Sequence, residues 1–295
     1  MQTHTLDELN KAGRQDFVAA LGEVFEHAPW VTEAAFARKP FVSLAALHQA
    51  LGDALRAADA ARRLALVKGH PDLAGKAARA GNLTADSNTE QSSAGLDRLT
   101  EAEYARFHKL NDAYRARFGF PFIVCVRRHG KESILGEFEK RLKHAPDAEL
   151  QSALTEIVRI AALRLDQRVT ASDKLKVHGR LSTHVLDTHG GRPAEGVELE
   201  LVELSEGDAA RAVTRATTNA DGRTDQPLIA GRPVPIARYE LRFHIGAYFR
   251  ARDAAEADPP FLSVVPVRFA VAEPEGHYHV PLLASPWSYT TYRGS

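Results

Sequence analysis

Two groups of residues have types and spacings that could do chemistry. In "RLSTHVLD", alternation puts Ser182, His184 and Leu186 on one face of a strand and Leu181, Thr183 and Val185 on the other. In "HYHVPLLA", His277 and His279 share a face. Two such strands could aim imidazoles into one space. Arg223 follows "NADG", whose Asp221-Gly222 pair suits a tight hairpin. A histidine near its free pKa of about 6.5 moves protons at neutral pH, and a guanidinium fork holds a planar polar edge or an oxyanion. The bland readings are a satisfied or surface histidine on each strand and a solvated arginine after the turn. No third ligand with helpful spacing accompanies the histidines, so no metal is expected.

The second group lies earlier. "KGHPDLAG" puts His70 before Pro71, which forces an extended or turning backbone at the histidine. At the end of a helix its ring would face the helix dipole. "SNTEQSSAGL" puts Ser87 three residues before Glu90. That spacing first suggests a capping box, with Ser87 capping and Glu90 reaching back. A helix start with free N–H groups is also an anion site, so the two uses are compatible.

These residues sit in a chain of 295 residues, long enough for two domains, with 44% hydrophobic and 26% charged residues. Lys plus Arg and Asp plus Glu are equal at 38 each, which gives no electrostatic case for nucleic acid or an anionic membrane. Cys125 is the only cysteine and lies in the apolar run "FPFIVCV", where a buried inert thiol is expected. The polar start "MQTHTLDELNKAG" lacks the apolar core of a signal peptide, and no apolar stretch has the length of a membrane span. A cytoplasmic location is expected.

The positioning elements change period along the chain. "SLAALHQALGDALRAADAARR" favours helix. "TEAEYARFHKLNDAYRARFG" opens with a Thr100/Glu103 capping box and closes on Gly119. "DAELQSALTEIVRIAALRLDQRV" places Leu150, Leu154, Ile157, Ile160, Ala161 and Leu165 near one helical face. Only "FPFIVCV" hints at a strand in this half. From Lys176 the period becomes two, in "KVHGRLSTHVLD", "GVELELVEL", "RAVTRATT", "RYELRFHI", "SVVPVRFAV" and "HYHVPLLA". An antiparallel sandwich is expected, interrupted by a helical turn near "GAYFRARDAAE". The spacing thus predicts an all-α domain over 1–168, a linker over 169–176 and an all-β domain over 177–295. The closing "SYTTYRGS" carries aromatic anchors directly after a strand, which predicts a tail tied into the fold rather than frayed.

"LSTHVLDTHGGRPAEGV", "TNADGRTD" and "HYHVPLLASPWSYTTYRGS" resemble the signature segments of the 5-hydroxyisourate hydrolases, the transthyretin-related enzymes. The resemblance implies a transthyretin-like sandwich in which His184, Arg223 and His279 are catalytic. It further implies that Tyr292, Arg293, Gly294 and Ser295 close the site, and that the protein is a homotetramer through this domain, with sites where subunits meet. His277 would be a neighbour. In the first half, "HPDLAG", "SNTEQSSAGL", "LNDAYRARFGFPFIVCVR" and "EIVRIAALRL" are similar to the 2-oxo-4-hydroxy-4-carboxy-5-ureidoimidazoline (OHCU) decarboxylases. That resemblance implies an all-helical fold with His70 and Glu90 at the reacting centre. Pro71, Ser87, Gln91, the backbone of Phe122, Ile123 and Val124, and Arg164 would bind substrate, with no cofactor.

The two resemblances fall on consecutive steps of urate degradation, ending in (S)-allantoin, and together they imply a bifunctional enzyme acting on 5-hydroxyisourate and OHCU. Transthyretin proper uses the same sandwich to carry a ligand, so the alternatives are a binding protein or a fusion with one active half. His184, Arg223, His279 and the terminal Tyr-Arg-Gly-Ser are the discriminating features.

Overall fold

The computed structural model describes residues 3–75, 83–254 and 257–294. It divides into two compact units, Met1–Arg127 with Ile134–Val177, and Arg128–Ser133 with His178–Ser295.

The first unit is helical. Its described helices include α1 (Leu6–Lys11), α2 (Arg14–Leu21), α3 (Pro29–Phe36), α4 (Leu44–Ala57), α5 (Ala60–Lys68), α6 (Ala85–Ser93) and α7 (Glu101–Phe118). After α8 (Lys131–Arg141) comes α9 (Pro146–Arg168). The alanine-rich run from Ser43 forms two helices rather than one. Ser43 caps α4, Ala58 turns extended, and Asp59 caps α5 by accepting from the Arg62 amide. Helix α7 has the expected termini: Thr100 and Glu103 exchange backbone and side-chain bonds, and Gly119 closes the helix at φ 74°. "FPFIVCV" is no strand; it is a buried loop that ends in a 3-10 turn at Val126, with Cys125 in the core.

Segment 169–176 belongs to this unit. Strand β2 (Val169–Thr170) lies parallel to β1 (His4–Thr5), and Asp173 accepts from the amides of Leu44 and Ala45 at the start of α4. Helix α9 runs 23 residues through the unit. Leu154, Ile157, Ile160, Ala161 and Leu165 are buried on it as the periodicity predicts, and so are Glu149, Glu156 and Arg164.

The second unit is built of strands β3 (Gly179–Ser182), β4 (Val185–Asp187), β5 (Arg192–Pro193), β6 (Glu198–Leu204), β7 (Ala210–Thr217), β8 (Ile229–Arg232), β9 (Ala237–Phe243), β10 (Val265–Val271), β11 (His277–His279), β12 (Leu282–Ala284) and β13 (Tyr289–Thr291). The short helix α10 (Ile245–Arg250) falls where a helical turn was expected. Sheets β10-β9-β6-β7, β11-β3-β8 and β13-β12-β4-β5 share one core of Leu181, Val185, Leu199, Leu201, Leu241, Val265 and Leu282.

The sandwich is not wholly antiparallel. Strand β11 runs parallel to β3, and β12 parallel to β4. The reason is a paired step. Each of the two long runs passes from one sheet to the next, at Thr183-His184 and at Val280-Pro281. Both steps are stitched by Val280 N to Ser182 O (3.0 Å), Leu282 N to His184 O (2.8 Å) and Thr183 Oγ1 to Val280 O (2.7 Å). Among the described residues no helix is long and apolar enough to cross a membrane.

Candidate active sites

In the sandwich, that paired step places the histidines. His184 sits in one crossing and His279 ends β11 just before the other. The Asn219–Gly222 turn brings Arg223 alongside: the Val185 amide donates to Gly222 O at 2.8 Å, and Arg223 bridges His184. Gly222 has φ 70°, and a β-carbon there would strike Val185 O and crowd the His184 ring. Only glycine lets the hairpin approach so closely.

Burial, then the Arg223 charge, holds the His184 imidazole below its ordinary pKa, against a hydrogen bond to the Asp221 backbone that raises it. Burial, then Arg223 and His184, does the same to His279. Both rings are therefore biased toward the neutral form, which can accept a proton. Ser182 Oγ stands 3.0 Å from His279 Nδ1, leaving Nε2 of that ring for other partners. His184 Nε2 is buried with no partner among the described residues.

The tail is tied down as expected, but by backbone pairing rather than by aromatic anchors, since Tyr289 and Tyr292 are exposed. Strand β13 pairs with β12, Thr291 Oγ1 donates to Pro281 O at 2.7 Å, and Gly294 N donates to His279 O at 2.8 Å. Arg293 lies 5.0 Å from the centre of the Tyr278 ring. Tyr292 is 60% exposed. Ser295 lies outside the described residues.

In the helical unit one pocket is lined by His70, Pro71, Ser87, Glu90, Gln91, Phe122, Ile123, Val124 and Arg164 together with Glu26. Every site residue expected in this half lines it. His70 follows the end of α5 and donates Nδ1–H to Leu66 O over 2.9 Å, which fixes its tautomer and leaves Nε2 as the acceptor when the ring is neutral. Burial pushes its pKa down. The loop beyond it is pinned three times: Asp72 to Arg115 (2.8 Å), Leu73 O from Asn111 Nδ2 (2.8 Å) and Ala74 N to Gln91 Oε1 (2.9 Å).

Ser87 and Glu90 do not form a capping box. The N-cap is Thr84, which accepts from the Ser87 amide, so Ser87 is already inside α6. Glu90 is thereby turned toward Arg164, which grips it through Nε–Oε1 (2.8 Å) and Nη2–Oε2 (2.9 Å). Burial raises the Glu90 pKa, partly offset by Arg164.

Sequence reasoning missed Glu26. It is 5% exposed and accepts hydrogen bonds from Ser87 Oγ (2.7 and 2.8 Å), Thr84 Oγ1 (2.7 Å) and Arg164 Nη2 (3.2 Å). Burial opposes its charge, but those hydrogen bonds and Arg164 outweigh it and leave its pKa lowered. Two glutamates on one arginine are thus driven apart, one toward the ionised form and one toward the protonated. That is the usual signature of divided acid and base roles. No sequence signal marks it: in "GEVFEHAPW" it is one of two glutamates flanking Val24-Phe25.

The wall of Phe122, Ile123 and Val124 is held from behind by buried charge. Arg141 Nη1 donates to Ile123 O at 2.8 Å, and Glu156 accepts from Cys125 N at 2.8 Å. Glu149, itself fully buried, binds Arg141, His144 and the Tyr114 hydroxyl.

These two sites, on these two folds, define a two-domain enzyme of proton-transfer chemistry. The family model of OHCU decarboxylase matches residues 10–166, and that of the HIUase/Transthyretin family matches residues 181–294, so the chain belongs to both families. It is 40% identical over 169 residues to the 2-oxo-4-hydroxy-4-carboxy-5-ureidoimidazoline decarboxylase of Halalkalicoccus jeotgali, covering 57% of this chain and 94% of that one. Over 118 residues it is 55% identical to the 5-hydroxyisourate hydrolase of Deinococcus radiodurans, covering 40% of this chain and 98% of that one. A crystal structure of (S)-allantoin synthase aligns with a TM-score of 0.50 at 34% identity, covering 99% of this chain and 100% of that one.

Proposed function

We propose that both units are active and that their chemistry rests on His184, Arg223 and His279 in one and on His70, Glu90 and Arg164 in the other. The chain is a bifunctional enzyme of urate degradation that hydrolyses 5-hydroxyisourate and decarboxylates the OHCU so formed. The observation that carries the assignment of residues is the pocket in which all nine residues expected in the helical half face one space.

In the hydrolytic step a neutral imidazole, from His184 or His279, takes a proton from water as its oxygen attacks the ring carbonyl. Arg223 faces the charge that develops on the carbonyl oxygen. The imidazolium returns the proton to the ring nitrogen as the C–N bond breaks, so one water is consumed and the ring opens. The Gly294 backbone holds His279 from the tail side.

In the decarboxylation the carboxylate leaves as CO2 and its electron pair passes into the adjacent C=N bond. His70 Nε2 accepts the hydroxyl proton and passes it to the ring nitrogen that received the electron pair, while a second proton, added to the new carbon centre on one face, fixes the handedness of allantoin. Glu90, with its pKa raised, is suited to deliver that proton. Arg164 and the Phe122–Val124 backbone hold the polar edges of the substrate, with Pro71, Ser87 and Gln91 around them. The sequence pattern gives no reason to expect a cofactor.

The sandwich is further read as the organiser of a homotetramer, with Tyr292, Arg293 and Ser295 closing sites where subunits meet, and the protein as cytoplasmic. The exposed Tyr292 supports the tetramer reading. The test is to generate 5-hydroxyisourate with urate oxidase, add the protein, and follow absorbance and circular dichroism. Loss of both intermediates with an (S)-allantoin signal is expected. Slow, racemic allantoin would overturn the helical site, and no acceleration of ring opening would overturn the other.

A further inference from the structure

We propose that Glu26 is a positioning residue of the helical site: it holds the Ser87 hydroxyl proton on its own carboxylate, so that Ser87 meets the substrate as an acceptor for a ureido or ring N–H. The inference rests on the decarboxylase reading of that pocket.

A serine hydroxyl has one proton and two acceptor lone pairs. The Ser87 Oγ lies 2.8 and 2.7 Å from the two oxygens of Glu26. A carboxylate has no proton to give, so the serine is the donor there. Ser87 is buried and lines the pocket, and its remaining capacity is acceptor only. Opposite it must stand an N–H. A substrate carboxylate or carbonyl oxygen in that place would set acceptor against acceptor, which a buried site punishes. An OHCU-like substrate supplies the match through its ureido group, and this orients its carboxylate away from Ser87.

Glu26 acts on Arg164 as well. Nε and both Nη2 protons of Arg164 are committed, two to Glu90 and one to Glu26. The donors left for a ligand are on Nη1, one of which has only a 3.5 Å contact with Glu23 O. With Glu26 fixed on Nη2, the guanidinium cannot rotate freely when Glu90 changes protonation state. Arg164 is then presented in one orientation through the cycle.

The test compares wild type with Glu26→Gln and Ser87→Ala on freshly generated OHCU, reading KM and kcat separately and pH profiles for each. Hydrolysis of 5-hydroxyisourate by the same chains serves as the internal control. Glu26→Gln sets an amide N–H against a donor, and a rise in KM of tenfold or more is expected, with the pH profile of decarboxylation shifted. Ser87→Ala leaves Thr84 and Arg164 on Glu26 and reports the serine step even where the glutamine variant folds poorly. It should raise KM several-fold with kcat largely kept. The double variant should be little worse than Glu26→Gln alone, because the loss at the Ser87 hydroxyl is already contained in the glutamine variant. Wild-type KM in Ser87→Ala, or fully additive losses in the double variant, would overturn the inference. Failure of the wild-type chain to decarboxylate OHCU would instead overturn the functional reading beneath it.

Discussion

The amide of Gly294 donates to the carbonyl of His279 over 2.8 Å, and a β-carbon on Gly294 would stand 2.7 Å from Cδ2 of that histidine's ring. Tail and imidazole are packed so closely that only hydrogen fits between them. Gly294→Ala should therefore displace either the tail or the His279 ring. A fall in 5-hydroxyisourate hydrolysis of at least tenfold is expected, with OHCU decarboxylation by the same chain unchanged. Equal hydrolysis in the alanine variant would detach the tail from the site.

The pH dependence of hydrolysis follows from burial and Arg223. Both lower the pKa of His184 and of His279, so each ring stays neutral to a lower pH than a free imidazole with its pKa of about 6.5. The base form is present above the folded-state pKa and is lost as pH falls through it. The acid limb of the hydrolase rate should thus lie below pH ~6.5. Arg223→Gln removes a repelling positive charge, and the limb of the residual rate should move to higher pH. A limb that stays in place would mean that Arg223 does not face the titrating base.

Much of this arrangement was legible in the residues, and the exceptions have physical causes. Period-two alternation put His184 on one strand face and the histidines of "HYH" on another, but the meeting point depends on two parallel neighbours stepping between sheets together, a long-range pairing that local pattern does not encode. Ser87 and Glu90 showed a capping spacing because Ser-x-x-Glu satisfies that rule locally. Thr84, three residues earlier, is the N-cap instead, which frees Glu90 for Arg164 some 74 residues away. Glu26 was silent because a glutamate between Phe25 and His27 belongs to no motif and no apolar period. Its partners Ser87 and Arg164 lie 61 and 138 residues away.

His70 is the sharpest test of the helical site. Its Nδ1–H is spent on Leu66 O, so Nε2 is the atom left to exchange a proton with substrate. His70→Asn should lower decarboxylation by about 10²–10⁴, the usual range for a lost general acid or base. Hydrolysis should be untouched, and allantoin should form slowly and without handedness. Decarboxylation within twofold of wild type would remove His70 from the reaction.

The last expectation concerns the wall behind Phe122, Ile123 and Val124. Glu149 is fully buried and holds Arg141, which in turn holds Ile123 O and lies 4.6 Å from the centre of the Phe122 ring. Removing the carboxylate in Glu149→Ala leaves a guanidinium buried without its counter-ion, and breaking such a pair costs about 3–5 kcal/mol. Urea unfolding of the full chain should show the helical transition shifted to lower denaturant, with the sandwich transition in place. The paired variant Glu149→Leu with Arg141→Met removes both charges, and it should be closer to wild type in stability than Glu149→Ala. It would still lose the bond to Ile123 O, so decarboxylation should remain impaired after stability returns. Recovery of both together would show that the pair serves stability alone and leaves the wall of the pocket to hold itself.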